Sequence, residues 1–273
     1  SGAKRKGVSM LQNNTDPNIL QLIEIARAEV GYMEKKNANN LDDKNANAGQ
    51  NNYTKYARDL YPHLQGQPWC DMFVDWCFVK AFGKAQTLKL TGPFSAYTPS
   101  SAQWFKDKGQ WHSRPKVGDL IFFKNSVRIC HIGLVYKVSG NVVYTIEGNT
   151  SLGSQVIPNG GSVCYKQYDV DNSRIAGYGR PNYSLLKSKS RYEVGWNRDD
   201  RGWWYADTGN SYIKSSWKVI NNHWYYFGED GYAVTGLQVI DGKRYIFDNT
   251  INGEFECCML RTDESGALSV ATV

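Results

Sequence analysis

The sequence predicts an α+β domain followed by a second domain of repeated β-hairpins. Near the start of the chain apolar residues recur at helical spacing, and after Pro115 they give way to short runs typical of antiparallel strands. Farther along, the chain repeats itself at offsets of 21 and 20 residues, which is typical of stacked repeats. We expect the first domain at residues 15–186, a linker at 187–191 and the repeat domain at 192–273.

Composition and charge limit the classes of function. The 273 residues are 41% hydrophobic and carry a net charge of +6, so we expect buried cores and anionic partners. Charge alone does not choose among nucleic acid, anionic membrane surfaces and the teichoic-acid-rich wall of Gram-positive bacteria. No apolar run approaches the roughly 18 to 20 residues that a membrane helix needs, so no membrane span is predicted. Lys and Arg are dispersed without a basic helix, so nucleic acid is not predicted as a partner.

The start of the chain and the cysteines bear on where the protein is made. The first 14 residues are basic but lack the apolar stretch of a signal peptide. The six cysteines show neither a disulfide framework nor the spacing of zinc ligands. We therefore expect mainly unpaired thiols, synthesis in the cytosol, and no cofactor.

The first helix carries both of its N-terminal signals. Asp16 is suited to cap the helix, and Pro17 fits the first helical position. Apolar residues then follow at helical spacing to about residue 30. The Asn-rich residues 36–52 show no periodicity and are predicted to form a polar loop.

A second helix should place a cysteine at its N-terminus. The segment PWCDMFVDWCFVKAFG puts Pro68 at the helix start and Gly83 at its end, with the cysteine side buried. Backbone N–H groups and the positive end of the helix dipole would lower the pKa of the Cys70 thiol. A cysteine on an apolar helix face is more often core packing, which is our interpretation of Cys77.

A histidine opens one of two strands that should form a hairpin around the Gly-Asn turn signal at 140–141. If a three-residue loop closes this hairpin, His131 faces Asn149 across the strands. Gly133 then faces Glu147, so His131, Glu147 and Asn149 share one face. A two-residue loop would shift the pairing by one and break this alignment. A thiol, an imidazole and a polar group that holds the imidazole meet the needs of nucleophilic catalysis.

These segments, PWCDMFVDWC, PKVGDLIFF, HIGLVY and IEGN in that order, resemble the signature of the cysteine, histidine-dependent amidohydrolase/peptidase (CHAP) family. That family comprises peptidoglycan hydrolases common in phage endolysins and bacterial autolysins. The resemblance implies a papain-like fold with N-terminal helices packed on an antiparallel sheet. It also implies Cys70 as the nucleophile, His131 as the base and Glu147 as its orienting group, with Asn149 assisting.

The implied reaction is hydrolysis of an amide bond in bacterial peptidoglycan. The bond is either the muramoyl–alanine amide, cut by an N-acetylmuramoyl-L-alanine amidase, or a peptide bond, cut by an endopeptidase; the sequence leaves both open. Backbone N–H groups at the helix start would hold the oxyanion, and Gln67 is a weaker candidate. Some CHAP proteins bind calcium through acidic residues near the cysteine, but only Asp59 and Asp71 stand there, so no metal is predicted.

Each repeat of the second domain is expected to be a hairpin with an aromatic segment and a Gly-containing turn. The repeats resemble choline-binding or cell-wall-binding repeats, whose aromatic faces attract quaternary ammonium groups or stack on sugars. Packing between hairpins alone would explain about half of the aromatic residues. The resemblance implies one site at Trp196, Trp203 and Tyr225 or Tyr226, and a second site at Trp217, Trp224 and Tyr245.

The third repeat departs from this pattern, since Leu237 and Arg244 stand where tryptophans are expected. With so few sites, a homodimer formed through the repeat domain would increase avidity. The expected partners are peptidoglycan and choline-bearing or other wall polymers. The protein would act on the wall either after synthesis in a host bacterium, as phage endolysins do, or after secretion. The alternative is a wall-binding or adhesion protein with an inert first domain, which a blocked cleft or a buried cysteine would favour.

Overall fold

The computed structural model describes residues 15–273, which form two compact units, Thr15–Lys189 and Ser190–Val273. The start of the chain, where no signal peptide is expected, lies outside the described residues. Among the described helices, none combines the length and apolar character needed to cross a bilayer. All six cysteines are free thiols.

The first unit begins with helices. The predicted first helix is confirmed, because the Asp16 side chain accepts a hydrogen bond from the N–H of Asn18 at 2.7 Å and Pro17 opens the helix. Three further helices were not predicted, because they are short or lack an apolar stripe. The helices are α1 (Pro17–Glu29), α2 (Lys55–Leu60), α3 (Cys70–Phe82), α4 (Lys84–Thr91) and α5 (Thr98–Asp107).

The helices are followed by a six-stranded antiparallel sheet, which confirms the α+β prediction. The strand order is β1-β6-β2-β3-β4-β5, so the two central positions hold the predicted strands β2 and β3. The strands are β1 (Trp111–His112), β2 (Leu120–Lys124), β3 (Ile129–Ser139), β4 (Val142–Thr150), β5 (Ser162–Asp169) and β6 (Ile175–Gly179).

Helix α3 is the central element of the core. It begins at Cys70, so the expectation that Pro68 starts the helix is wrong, and Trp69 is the N-cap residue. Its first nine residues are all buried, not only the cysteine side, because it lies between other helices and strands β3 and β4. Close approach to β4 requires Gly148, since a Cβ there would lie 2.6 Å from the Cβ of Phe73.

The β3–β4 hairpin differs from the prediction near its turn. Ser139 pairs with Val142, so the loop has two residues and not three. A β-bulge at Tyr136 adds one residue to β3, and beyond it Leu134 pairs with Ile146. The bulge therefore restores the alignment that the two-residue loop alone would have broken.

The second unit contains the predicted hairpins, which are β7–β8, β10–β11 and β12–β13. The turns Asn221-Asn222 and Asp241-Gly242 have positive φ at both positions, as two-residue hairpin turns require. Strands β14 and β15, which were not predicted, extend the third hairpin into a four-stranded sheet. The strands are β7 (Gly195–Asp199), β8 (Gly202–Thr208), β9 (Ser211–Tyr212), β10 (Ser216–Ile220), β11 (His223–Phe227), β12 (Gly236–Ile240), β13 (Lys243–Phe247), β14 (Met259–Thr262) and β15 (Leu268–Val270).

Candidate functional site

Cys70 is the first residue of α3 and borders a cavity of about 610 Å³. Only 4% of its surface is exposed, so the thiol is reached through this cavity. No side chain caps the helix N-terminus within the described chain. The first N–H groups of α3 therefore remain available for negative charge on a thiolate or an oxyanion. Gln67, the weaker oxyanion candidate, also lines the cavity.

His131 and Glu147 form a buried pair on neighbouring strands. Nε2 of His131 lies 2.8 Å from Oε1 of Glu147, and both residues are 0% exposed. The Tyr168 hydroxyl donates to Oε1 of Glu147 at 3.1 Å, and the Thr145 hydroxyl donates to Oε2. A Cβ on Gly133 would lie 2.5 Å from Cγ of Glu147, so glycine makes room for the carboxylate side chain. The carboxylate is thus held in place while it orients the imidazole.

The imidazole of His131 also interacts with the Cys70 thiol. Burial lowers the pKa of His131, but the hydrogen bonds and negative charges of Cys70 and Glu147 outweigh it and raise this pKa to about 10. Glu147 occupies Nε2, so Nδ1 is the nitrogen that remains for the thiol. Within residues 15–273 Nδ1 has no hydrogen bond of standard geometry, so the sulfur contact is a loose one. Loose contacts of this kind are common in enzymes without substrate.

Asn149 lies near the end of β4, in the left-handed backbone region with a φ of 53°. Its Oδ1 accepts a hydrogen bond from the N–H of Gly161 at 3.2 Å, and its backbone oxygen accepts one from Gly160. The side-chain nitrogen Nδ2 is buried without a hydrogen-bond partner in the described part of the chain. The structure therefore places Asn149 two residues after Glu147 on β4 and uses its oxygen atoms to hold the loop before β5.

A first aromatic group surrounds Trp196 in the second unit. The ring centroid of Trp196 lies 4.8 Å from that of Tyr225 on the next hairpin and 6.2 Å from that of Trp203 on its own hairpin. Tyr205 and Phe227 complete the group at 5.5 and 5.8 Å. Most of these contacts are edge to face, a favoured packing of aromatic rings.

A second aromatic group repeats this geometry around Trp217. The ring centroid of Trp217 lies 4.8 Å from that of Tyr245 on the next hairpin and 6.2 Å from that of Trp224 on its own hairpin. Tyr226 and Phe247 lie at 5.2 and 5.8 Å. The structure thus brings Trp217, Trp224 and Tyr245 together, and it places Tyr226 here rather than in the first group.

Two parts of the chain match known protein families. Residues 62–149 match the CHAP domain, and residues 214–254 match the choline-binding repeat. The chain contains a CHAP domain. The CHAP match extends from before Cys70 to Asn149, and the repeat match includes every residue of the second aromatic group.

Three solved structures are similar to parts of this chain. Choline binding protein F from Streptococcus pneumoniae is 17% identical over 53% of this chain and 58% of its own, with a TM-score of 0.23. A lipoprotein-like protein of the NLP/P60 family from Staphylococcus aureus is 14% identical over 63% of this chain and 44% of its own, with a TM-score of 0.31. The pneumococcal cell wall endolysin from phage Cp-1, complexed with choline, is 17% identical over 37% and 40%, with a TM-score of 0.16. The chain thus spans 40 to 58% of these proteins. No curated protein sequence matches it.

Two buried acids lie next to the cysteine of the CHAP domain. Asp71 accepts a hydrogen bond from the Ser101 hydroxyl at 2.6 Å, and Asp75, one turn later on α3, accepts one from the Tyr61 hydroxyl. Burial raises the pKa of Asp71 to about 7, although Ser101 and the nearby His131 oppose the shift. The sequence predicts no role in the site for either acid. The signal that could have found them is two acids four residues apart among the otherwise apolar first nine residues of α3.

The other cysteines near the CHAP site have different surroundings. Burial raises the pKa of the Cys77 thiol well above its ordinary value, which agrees with its interpretation as core packing. Cys130, for which the sequence predicts no role, is partly exposed and lines the same cavity as Cys70. Asp59, one of the two acids considered for calcium, accepts hydrogen bonds from Trp76 at 2.8 Å and from Arg58 at 2.9 Å.

The two aromatic groups differ in what covers their rings. In the first group, the guanidinium carbon of Arg198 lies 5.1 Å from the ring centroid of Trp203. The Trp203 indole donates to Glu256 at 2.8 Å, and the Cys258 thiol donates to the Tyr225 hydroxyl at 3.0 Å. Trp203 and Tyr225 are buried. A cation of the chain itself and the segment before β14 therefore already contact these rings.

The second group is more open. Trp217, Trp224 and Tyr245 are half-buried, and no Lys or Arg of the described residues stacks on their rings. In the third hairpin, Leu237 pairs with Ile246 and both Leu237 and Arg244 are exposed, so no equivalent aromatic group forms there. The second group is the better candidate for an external ligand.

Proposed function

We propose that this chain is a peptidoglycan hydrolase that cleaves an amide bond of the bacterial cell wall, with Cys70 as its nucleophile. The observation that carries the proposal is the arrangement around Cys70. The thiol stands at a helix N-terminus on a cavity, and it interacts with His131, whose other ring nitrogen is held by the buried Glu147. A nucleophile, a base and an orienting group in this order meet the requirements of a cysteine hydrolase.

The proposed reaction proceeds in two stages. His131 takes the thiol proton, and the Cys70 sulfur attacks the substrate carbonyl carbon while the N–H groups at the start of α3 hold the oxyanion. His131 then gives its proton to the leaving amine, and the acyl group stays on sulfur. Water, deprotonated by His131, releases the acid product and restores the thiol. Glu147 stabilises the imidazolium in both stages without being protonated itself.

The scissile bond is either the muramoyl–alanine amide or a peptide bond of the stem or cross-bridge. Both bonds are amides, and the same three residues would cleave either one. Mass spectrometry of the fragments released from purified walls distinguishes the two. A new N-terminal alanine on peptides free of sugar identifies an amidase, and new peptide termini within sugar-linked fragments identify an endopeptidase.

The wall-binding part of the proposal rests on the second aromatic group. Its half-buried tryptophans and tyrosines offer aromatic faces to a quaternary ammonium group such as choline, held by cation–π attraction. Retention on the wall would raise the concentration of the CHAP domain near its substrate. The proposal holds whether the protein is released inside a host bacterium or secreted. A homodimer through the repeats would add avidity and is detected by light scattering.

The test of the hydrolase is a pair of cysteine variants. Cys70→Ser should lose lysis of purified walls by more than about 1,000-fold, because a serine hydroxyl is a far weaker nucleophile than a thiolate beside imidazole. Cys77→Ser is the matched control and should keep most activity, since Cys77 is a buried packing residue. Lysis retained by Cys70→Ser, or lost only in Cys77→Ser, would contradict the proposal.

The alternative, a non-catalytic wall-binding protein, is favoured by the low exposure of Cys70, 4%, and of His131, 0%. Alkylation of the folded protein by iodoacetamide separates the two. A catalytic Cys70 should be labelled much faster than Cys77, because it borders the cavity and interacts with an imidazole. Equal, slow labelling together with no wall lysis would support the inert scaffold.

A further inference from the structure

The cavity at Cys70 is lined mainly by apolar, aromatic and hydroxyl side chains. Within the described chain, Arg128 is the only Lys, Arg, Asp or Glu that lines it. Arg128 lies in the loop between β2 and β3, three residues before His131. An exposed cation that borders a largely apolar cleft, with no Asp or Glu among the lining residues of the described chain, favours ligands with negative charge.

The guanidinium of Arg128 is positioned but not paired. It lies 5.3 Å from the ring centroid of Tyr97, which also lines the cavity, and it donates to the backbone oxygen of Ile129 at 2.8 Å. That bond uses one of its five N–H donors. No carboxylate of residues 15–273 lies within ion-pair distance of Arg128. The remaining donors are therefore available to a ligand.

The two buried acids of α3 do not line the cavity and have hydrogen-bond partners of their own. Asp71 is hydrogen-bonded to Ser101, and Asp75 is hydrogen-bonded to Tyr61, a residue of the cavity wall. Neither acid itself lines the cavity. The cleft therefore presents a cation to its substrate and keeps its acids below the surface.

We propose that Arg128 is a specificity-determining residue that binds a free carboxylate of the substrate close to the scissile amide. The substrate class is an acidic peptide of the wall, in preference to the same peptide with its carboxylates amidated. This inference rests on the proposed hydrolase function. A planar guanidinium can bind both oxygens of a carboxylate, and a neutral carboxamide offers only one acceptor and no charge.

The test compares two substrates and three variants. The substrates are soluble muropeptides from purified walls and the same preparation after its carboxylates are converted to amides. The variants are Arg128→Gln, Arg128→Lys and the control Lys124→Gln, which removes an exposed charge nearby that does not line the cavity. Products are quantified by mass spectrometry to obtain kcat and KM for each pair.

For the wild-type protein, we expect KM to be about tenfold lower for the carboxylate form. Arg128→Gln should raise KM for that form about tenfold, leave KM for the amidated form unchanged and alter kcat by less than about twofold. The KM of Arg128→Lys for the carboxylate form should lie between those of the wild type and Arg128→Gln. The lysine ammonium keeps the charge but is a point charge without the planar fork of a guanidinium. Lys124→Gln should behave as the wild type.

An unchanged ratio of the two KM values in Arg128→Gln would overturn the inference while leaving the hydrolase intact. If the wild-type protein cleaves neither preparation, the hydrolase proposal fails separately. Calorimetric affinities then decide the role of Arg128. Equal affinity of the wild type and Arg128→Gln for the carboxylate form would overturn it, and selective weakening of that form would support it.

Discussion

Nε2 of His131 lies 2.8 Å from Oε1 of Glu147, and no solvent reaches either side chain. The carboxylate also accepts hydrogen bonds from Tyr168 and Thr145, so its position is set by three neighbours. The ring orientation of His131 therefore depends on a buried network rather than on one contact. That network leaves Nδ1 as the nitrogen that can accept the proton of Cys70. Its negative charge also influences the pH at which the imidazole loses its proton.

Replacing Glu147 by Gln should impair the enzyme without abolishing it. The amide oxygen of Gln can still accept a hydrogen bond from Nε2–H of His131. It carries no negative charge to stabilise the imidazolium, so we expect kcat to fall about 100-fold. Glu147 is one of the groups that raise the pKa of His131, so the alkaline limb of the pH profile should also move to lower pH. Rates on soluble muropeptides across pH measure both effects. An unchanged alkaline limb would contradict the assignment of Glu147.

The wild-type protein should remain active to unusually high pH. The reactive thiolate–imidazolium pair persists until His131 loses its proton, and the pKa of His131 is raised to about 10. We therefore expect kcat/KM to decline only near pH 10. His131→Ala should be nearly inactive at every pH. A decline centred near pH 7 in the wild type would show that the imidazole is not held by Cys70 and Glu147.

The strands that carry His131 and Glu147 could be predicted from the sequence, but the way they align could not. Apolar alternation and the Gly140-Asn141 signal identify the hairpin correctly. The bulge at Tyr136 depends on packing of both strands and leaves no local sequence signal, so the sequence could not show that a two-residue loop still brings Leu134 opposite Ile146. The alignment near Leu134 and Ile146 came out as expected because the bulge compensates for the shorter loop.

Features that depend on tertiary burial were also beyond the sequence. The apolar pattern of α3 indicates a buried face, but full burial follows from strands β3 and β4, which come much later in the chain. Likewise Arg198 and Trp203 approach each other because β7 pairs with β8, whereas the contact of Trp203 with Glu256 joins residues far apart in sequence. The hairpin repeat itself was predictable, since the sequence repeats at offsets of 21 and 20 residues.

Replacing Asp71 by Asn should stabilise the protein, and more so at alkaline pH. Burial raises the pKa of this carboxyl from 3.8 to about 7. The contribution of the protonated carboxyl to stability is therefore fully present below about pH 4 and is lost as the pH rises through 7. Asn stays neutral, so its advantage in the free energy of unfolding should grow by about 2 kcal/mol between pH 5 and pH 8. Denaturant unfolding at the two pH values measures this difference.

Comparing the two pH values also shows whether the stabilisation by Asp71→Asn comes from the raised pKa of the buried carboxyl. Asn can still accept the hydrogen bond from Ser101, so a loss of that contact should not obscure the effect. Ser101→Ala is a useful comparison, because it removes the hydrogen bond but keeps the carboxyl. A stabilisation by Asp71→Asn that is equal at pH 5 and pH 8 would mean that the carboxyl titrates normally.

The two aromatic groups should respond differently to loss of their central tryptophan. Trp217 and Trp196 occupy equivalent places in adjacent repeats, so Trp217→Ala and Trp196→Ala are matched variants. We expect Trp217→Ala to weaken retention on immobilised choline by about tenfold or more, because it removes an open aromatic face. Trp196→Ala should lower thermal stability instead, because Trp196 packs against a buried cluster whose rings already contact Arg198 and Glu256. Rates on soluble muropeptides should be unchanged in both.

Calorimetry with free choline tests the same asymmetry by stoichiometry. A single choline per chain is expected, because Arg198 and Glu256 contact Trp203 in the first aromatic group and the third hairpin has no equivalent group. Trp217→Ala should abolish this binding event, and Trp196→Ala should retain it. Two choline ions per chain in the wild type would contradict the asymmetry. A different result is that the wild-type protein stays on walls in the presence of free choline while Trp217→Ala does not bind them. That result would identify the ligand as a sugar stacked on the same rings.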